Sequence, residues 1–312
     1  MLRSALLYLS SQPKVFSFVR HNRMAKGFAS RFVAGETLDT ALDAVAKLNA
    51  KRITASLDLL GESVRNENES RATARQYIRI LDRINEKKLD ANVSVKLTAM
   101  GLDIDEELCI ANMQNILERA RELETFVRID MEGSDYTQKT LDIFYQRLFP
   151  SFRGNVGIVL QSYLYRAFQD VQEANKAGAR VRLCKGAYKE PASVAYAEKK
   201  DVDDSYLRCM RELLLEGHYP GIATHDERMV RETKRFARDN DIAADRFEFQ
   251  MLYGVRRDLQ EKLVSEGYRM RVYVPFGTQW YPYLMRRLAE RPANVAFITG
   301  NVLKEMVGRN RA

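Results

Sequence analysis

Eight times along this chain a short run rich in β-branched and aromatic residues is followed by a stretch with amphipathic helical spacing. That alternation restricts the fold more than any other feature. The runs are ITASLDLLG (53–61), NVSVKLTAMG (92–101), FVRIDMEGS (126–134), NVGIVLQSY (155–163), RVRLCKGAY (180–188), GIATHD (221–226), RFEFQMLYG (246–254) and MRVYVPFG (270–277). Between them lie segments such as RATARQYIRILDRINEKK and DERMVRETKRFARDND. Strands that alternate with helices pair in parallel, and eight such units in about 260 residues fit a closed barrel better than an open sheet. The predicted class is α/β: a (βα)8 TIM-type barrel over residues 46–312, preceded by a short helical module at 1–45.

Composition narrows the function classes. The 312 residues are 46% hydrophobic and 29% charged, an ordinary globular balance. No apolar run approaches the roughly 18 residues needed to cross a bilayer. Cys109, Cys184 and Cys209 are odd in number and widely spaced, and only three histidines occur, so neither a disulfide framework nor a metal centre is expected. A reducing, cytoplasmic setting follows. The net charge of +8 permits anionic partners without choosing among them. From Met1 to Gly35 there is no acidic residue, but Arg3, Lys14, Arg20, Arg23, Lys26 and Arg31 are present. Such a stretch fits a mitochondrial transit peptide, which would place the protein on the matrix side. The spacing of LLYL and VFSFV, and the absence of a cleavage-like break before RFVAGETLDTALDAVAKLNA, favour instead a folded basic module able to touch a membrane surface. Basic residues without an interleaved aromatic patch argue against nucleic acid. No GxGxxG or GxxxxGK[ST] occurs.

Side-chain alternation along the strands carries the strongest functional signal. With Val93, Val95, Leu97, Val127 and Ile129 facing the helices, the opposite set turns into the barrel: Asp58, Lys96, Asp130, Gln161, Arg182 and Tyr273. Barrel interiors are normally filled with branched apolar side chains, so two aspartates, a lysine and an arginine there must meet one another or a ligand. Pairs such as Lys96 with Asp130, or Arg182 with Asp58, would be the purely structural outcome. These residues lie toward the C-terminal strand ends, where barrel active sites are built. The THD step at 224–226 begins a helix that Thr224 or Asp226 could cap, which leaves His225 as either a loop residue or a ligand contact. The final helical segment, WYPYLMRRLAERPANV, places Tyr283, Arg286, Arg287 and Glu290 on one stripe, facing either solvent or a site.

The motifs SLDLLGE, SVKLTAMG, RIDMEGS, LQSYL, RLCKGAYKE, ATHD, QMLYG, RVYVPFG and YLMRRLAERPAN, with RFVAGE before them, occur in an order that resembles the proline dehydrogenase family. Essentially the whole chain is covered, and no aldehyde dehydrogenase portion is present, as in the short monofunctional bacterial type. The resemblance implies a distorted (βα)8 barrel that oxidises L-proline to Δ1-pyrroline-5-carboxylate by hydride transfer to N5 of a non-covalent FAD. It implies a membrane quinone as electron acceptor, with contact at the inner face of the cytoplasmic membrane, and leaves homo-oligomer formation open. By motif, Lys96, Arg286 and Arg287 would bind the proline carboxylate. Asp130 and Arg182 would be the catalytic-site charges, with Arg182 beside the flavin. Met131, Gln161, Lys185, Gly186, Ala187, Thr224 and His225 would hold FAD. Tyr188, Leu252, Tyr273 and Tyr283 would wall the pocket, and Glu290 would steady the arginine pair. The residue types suit this chemistry, because planar guanidinium forks match a carboxylate. The rival enzyme reading is a flavin barrel resembling methylenetetrahydrofolate reductase, which offers no reason for the adjacent arginines.

Overall fold

The computed structural model describes residues 29–61 and 64–290, with side chains described as far as Met285. The candidate short helices LLYL and VFSFV, and most of the basic N-terminal stretch, lie outside the described residues. The elements are α1 (Leu38–Asn49), β1 (Thr54–Leu59), α2 (Glu67–Glu86), β2 (Ala91–Val95), α3 (Glu106–Glu122) and β3 (Val127–Ile129). Next come α4 (Ser134–Asp142), continued by a π-helical turn (Ile143–Leu148) into α5 (Phe149–Phe152), then β4 (Val156–Gln161), α6 (Ala167–Ala177) and β5 (Arg180–Cys184). The chain goes on through α7 (Lys199–Glu216), β6 (Gly221–Ala223), α8 (Glu227–Asp239), β7 (Glu248–Leu252), α9 (Arg257–Ser265), β8 (Arg269–Phe276) and α10 (Trp280–Glu290). The strands are parallel and close in chain order into a barrel, with β8 returning to β1 at Ser56↔Tyr273.

Local sequence sets the helix starts. Thr37, Asn66, Asp105 and Asp226 each accept a backbone N–H at the first turn of α1, α2, α3 and α8, which satisfies donors that the helix leaves open. Val93, Val95, Val127 and Ile129 are fully buried in the core outside the sheet, as their alternation predicts.

The N-terminal part of the described chain is built into the barrel wall. Helix α1 packs on both β8 and β1, and its Leu42 and Val45 are fully buried. The division expected after residue 45 falls inside this helix. The chain leading into it is tied to the end of β8, where the Ala34 N–H donates to the Pro275 carbonyl (2.9 Å) and the Gly277 N–H to that of Gly35 (3.0 Å). The Trp280 indole donates to Glu36 (3.0 Å), which anchors the start of α10. No helix among the described residues is long and apolar enough to cross a membrane.

Every strand stops short of its predicted run, β2 and β3 by the most. β2 ends at Val95 and β3 at Ile129, because the polar residues beyond serve the loops. After β2 the chain makes a single 3-10 turn (Thr98–Met100), and buried Glu132 accepts from the Thr98 backbone N–H (3.2 Å) and hydroxyl (2.8 Å). The two loops are thereby locked together at the C-terminal mouth.

Candidate active site

The inward set predicted from alternation meets at this mouth. Asp58 at the end of β1 is 1% exposed; Lys96 follows β2, Asp130 follows β3, and both are 8% exposed. Lys96 Nζ lies 3.2 Å from Asp58 and 3.8 Å from Asp130. Arg182, on β5, donates to Asp130 at 2.7 Å, and the Tyr273 hydroxyl, on β8, donates to the other Asp130 oxygen at 2.7 Å. The purely structural pairing of Arg182 with Asp58 does not form; Arg182 takes Asp130, and Lys96 spans both aspartates. The Arg182 guanidinium also lies over the Tyr273 ring, 5.3 Å from its centroid. Burial, then the carboxylates of Asp130 and Asp58, hold the Tyr273 phenol well above its ordinary range, so it remains a proton donor.

Beneath this ring the polar side chains continue. Arg182 donates to Gln250 on β7, to Ser94 on β2 (3.1 Å) and to Ser56 on β1 (3.4 Å). Gln250 donates to Glu248, which accepts from Arg271 at 2.7 Å. A chain of hydrogen bonds, Asp130–Arg182–Gln250–Glu248–Arg271, therefore runs from the upper mouth toward the lower end of the barrel. Arg128, on β3, also lies inside at 4% exposure and donates to the carbonyls of Ile158 (3.2 Å) and Arg180. It fits because Gly157 stands opposite: a Cβ there would come within 2.6 Å of the guanidinium and of the Phe126 ring.

Ser56, Ser94, Arg128, Glu248, Gln250 and Arg271 are the residues that the sequence reading missed. Burial alone would raise the Glu248 carboxyl, but Arg271 and then Arg128 outweigh it and hold the pKa below the ordinary value. A depressed carboxylate contributes stability that is present above its unfolded pKa and lost as pH falls through the folded one. Glu248→Gln should therefore cost about 3–5 kcal/mol at neutral pH by leaving buried guanidinium groups unopposed. The difference from wild type should narrow as pH falls through the depressed folded-state pKa of Glu248, where the wild-type carboxylate takes up its own proton. Urea denaturation at several pH values measures this; a pH-independent difference would show that Glu248 acts by shape alone.

The second predicted group lines the same mouth. Gln161 ends β4 at 4% exposure; its amide nitrogen donates to the Glu132 carbonyl (3.2 Å), while its Oε1 is buried without a partner among the described residues. Met131, the residue after Asp130, is buried. Half-buried Lys185, Gly186, Ala187 and Tyr188 follow β5. Gly186 has φ +109°, and a Cβ there would strike the Tyr163 ring at 2.6 Å, so only glycine allows this approach. Lys185 is held by Asp203 (2.6 Å) and Asp226 (2.8 Å). Thr224 is buried and accepts from the Asp226 N–H (3.1 Å), and Asp226 caps α8. His225 is more than a loop residue, since its Nε2 accepts from the Leu252 N–H at 2.8 Å. Glu190 closes the loop after β5 by accepting from the Ser134 N–H (2.9 Å) and the Tyr163 hydroxyl (3.0 Å). At the start of α10, Trp280, Tyr281, Tyr283, Leu284 and Met285 are all 7% exposed or less, and Pro282 is half-buried. The side chains of Arg286, Arg287 and Glu290 lie outside the described residues.

A (βα)8 barrel with a charged, hydrogen-bonded ring at the C-terminal strand ends belongs to the class of barrel enzymes. The proline dehydrogenase family model matches residues 41–300. The chain is 41% identical over 305 residues to proline dehydrogenase 1 of Bacillus subtilis (strain 168), covering 98% of this chain and 100% of that one. It is 40% identical over 307 residues to the proline dehydrogenase of Deinococcus radiodurans, covering 97% and 98%. Among solved structures, proline utilization A from Bdellovibrio bacteriovorus superposes with a TM-score of 0.78 at 28% identity, over 85% of this chain and 32% of that longer one. The chain belongs to the proline dehydrogenase family. Its activity is proline oxidation, as an enzyme of proline catabolism.

Proposed function

We propose that the ring of Asp58, Lys96, Asp130, Arg182 and Tyr273 binds L-proline against a non-covalent FAD at the upper mouth, yielding Δ1-pyrroline-5-carboxylate and passing electrons to a membrane quinone. The observation that carries this reading is the Lys96–Asp130–Arg182–Tyr273 network at the strand ends of a chain of this family. The residues present fit the cofactor. Gln161 offers a buried amide oxygen without a partner among the described residues, Gly186 allows a close backbone approach, and Lys185 stands beside the N-terminus of α8, whose field favours phosphate oxygens. Met131, Gln161, Lys185, Gly186, Ala187, Tyr188, Thr224 and His225 would hold FAD, which when bound supplies a two-electron acceptor for a hydride.

The protein's own part is to hold and charge the site. The described charges of the ring cancel, Lys96 and Arg182 against Asp58 and Asp130. One substrate carboxylate therefore needs further positive charge, and Arg286 and Arg287 on α10 would supply it, with Glu290 steadying them. Leu252, Tyr188, Tyr273 and Tyr283 would fix the apolar ring of the substrate. Asp130 has both oxygens engaged, by Arg182 and by Tyr273, so it suits orienting these two groups. Arg182, desolvated in the barrel, would place positive charge where negative charge develops on reduction of the bound flavin.

The test is the visible spectrum of the purified chain before and after anaerobic L-proline. Flavin bands that bleach, and return on adding a short-chain quinone, are expected. A colourless preparation that still oxidises proline would refute the cofactor, and flavin bands that proline leaves unchanged would refute the substrate assignment.

A further inference from the structure

At the opposite, N-terminal end of the barrel lies a cavity of about 480 Å³, lined in part by Asn92, Arg121, Phe126, Asn155, Arg180 and Arg271. Its charge balance differs from that of the upper ring. Arg128 and Arg271 lie within the barrel wall with Arg180 at its edge, and the buried carboxylate among them is Glu248, which is bonded to Arg271. Arg128 and Arg180 form no ion pair among the described residues. The acids that line the cavity, Asp90 and Glu124, are solvent-exposed at the rim. Buried cations in excess are costly unless a counter-charge arrives.

Arg180 is prepared for one. Its guanidinium lies 4.6 Å from the ring centroids of both Phe126 and Tyr219. Neither ring face is a strong hydrogen-bond acceptor, so these contacts leave guanidinium N–H groups for a ligand, and their planar fork suits a carboxylate. The Arg180 Nε is buried and has no hydrogen-bond partner among the described residues. The same holds for the side-chain oxygen of Asn92, a residue 8% exposed on β2. An amide can turn either end toward a ligand, so Asn92 can donate to the same group.

We infer that the lower mouth is a second binding site, for a small carboxylate anion, held by the edge of Arg180 with Asn92 and the positive field of Arg128 and Arg271. This site is independent of the proline site at the upper mouth. Arg180 stands two residues before Arg182 on β5, about 7 Å further down the strand.

Isothermal titration calorimetry of the full chain with sodium malonate, at ionic strength held constant with sodium chloride, tests the inference. Saturable one-to-one binding is expected, weakened at least tenfold by Arg180→Gln and by Asn92→Leu, and unchanged by Lys96→Met at the upper mouth. Circular dichroism checks that each variant is folded, and Asn92→Leu alone decides should Arg180→Gln unfold. No saturable heat in wild type, equal affinity in the folded lower-mouth variants, or loss of binding in Lys96→Met would each overturn the assignment. Inorganic phosphate that binds more tightly than malonate would overturn the carboxylate class.

Discussion

Arg182→Leu is expected to lower kcat/KM for proline by at least about 100-fold and to destabilise the chain by about 3–5 kcal/mol. Both effects have one origin. The guanidinium donates to Asp130, Gln250, Ser94 and Ser56, and leucine would leave Asp130 buried beside Lys96 and Tyr273 without its strongest partner. Breaking a buried pair from one side costs about 3–5 kcal/mol, because a charge is left uncompensated. Losing one preorganised donor where charge develops costs about 10²–10³ in rate. Lysine should restore part of the stability and little of the rate, since an ammonium cannot reach four acceptors on four strands. Dye-coupled turnover and urea denaturation measure the two effects. Full stability with full turnover in Arg182→Leu would show that the column of hydrogen bonds below the ring is ornamental to both.

The reach of sequence reading can be judged on this same column. Alternation placed Asp58, Lys96, Asp130, Gln161, Arg182 and Tyr273 in the barrel, and the strands close in the predicted order. The layer below was present in the same pattern: Ser56, Ser94, Arg128, Arg180 and Arg271 each stand two residues before a member of the predicted ring. Extending the alternation downward finds them. What the sequence does not carry is who pairs with whom, since Lys96 and Arg182 could each have reached either aspartate and strand stagger decides the matter. Strand ends were overextended at FVRIDMEGS because nothing local says that Glu132 is spent on Thr98 across a loop. The surroundings of α10 were also hidden. Tyr283 of the tyrosine–arginine stripe and Leu284 and Met285 of the apolar stripe are all buried, so the two stripes do not divide into a wet and a dry face over these residues.

Lys96 separates substrate binding from structure, because its two roles respond differently to a second substitution. Lys96→Met leaves Asp58 and Asp130 facing each other in the barrel with their shared cation removed. The chain should lose about 3–5 kcal/mol, and kcat/KM for proline should fall roughly 30-fold to several thousand-fold, as expected for one partner removed from a buried charge pair. Adding Asp58→Asn restores the charge balance without restoring a cation for the substrate carboxylate. The double variant should therefore regain most of the lost stability while turnover stays low, a coupling of at least about 1–3 kcal/mol in the stability cycle with little in the kinetic one. Pyrrolidine, which has no carboxylate, should discriminate least between wild type and the double variant. Recovery of proline turnover in parallel with stability would mean that Lys96 serves only to neutralise Asp58, and the carboxylate role would then pass wholly to the arginines of α10.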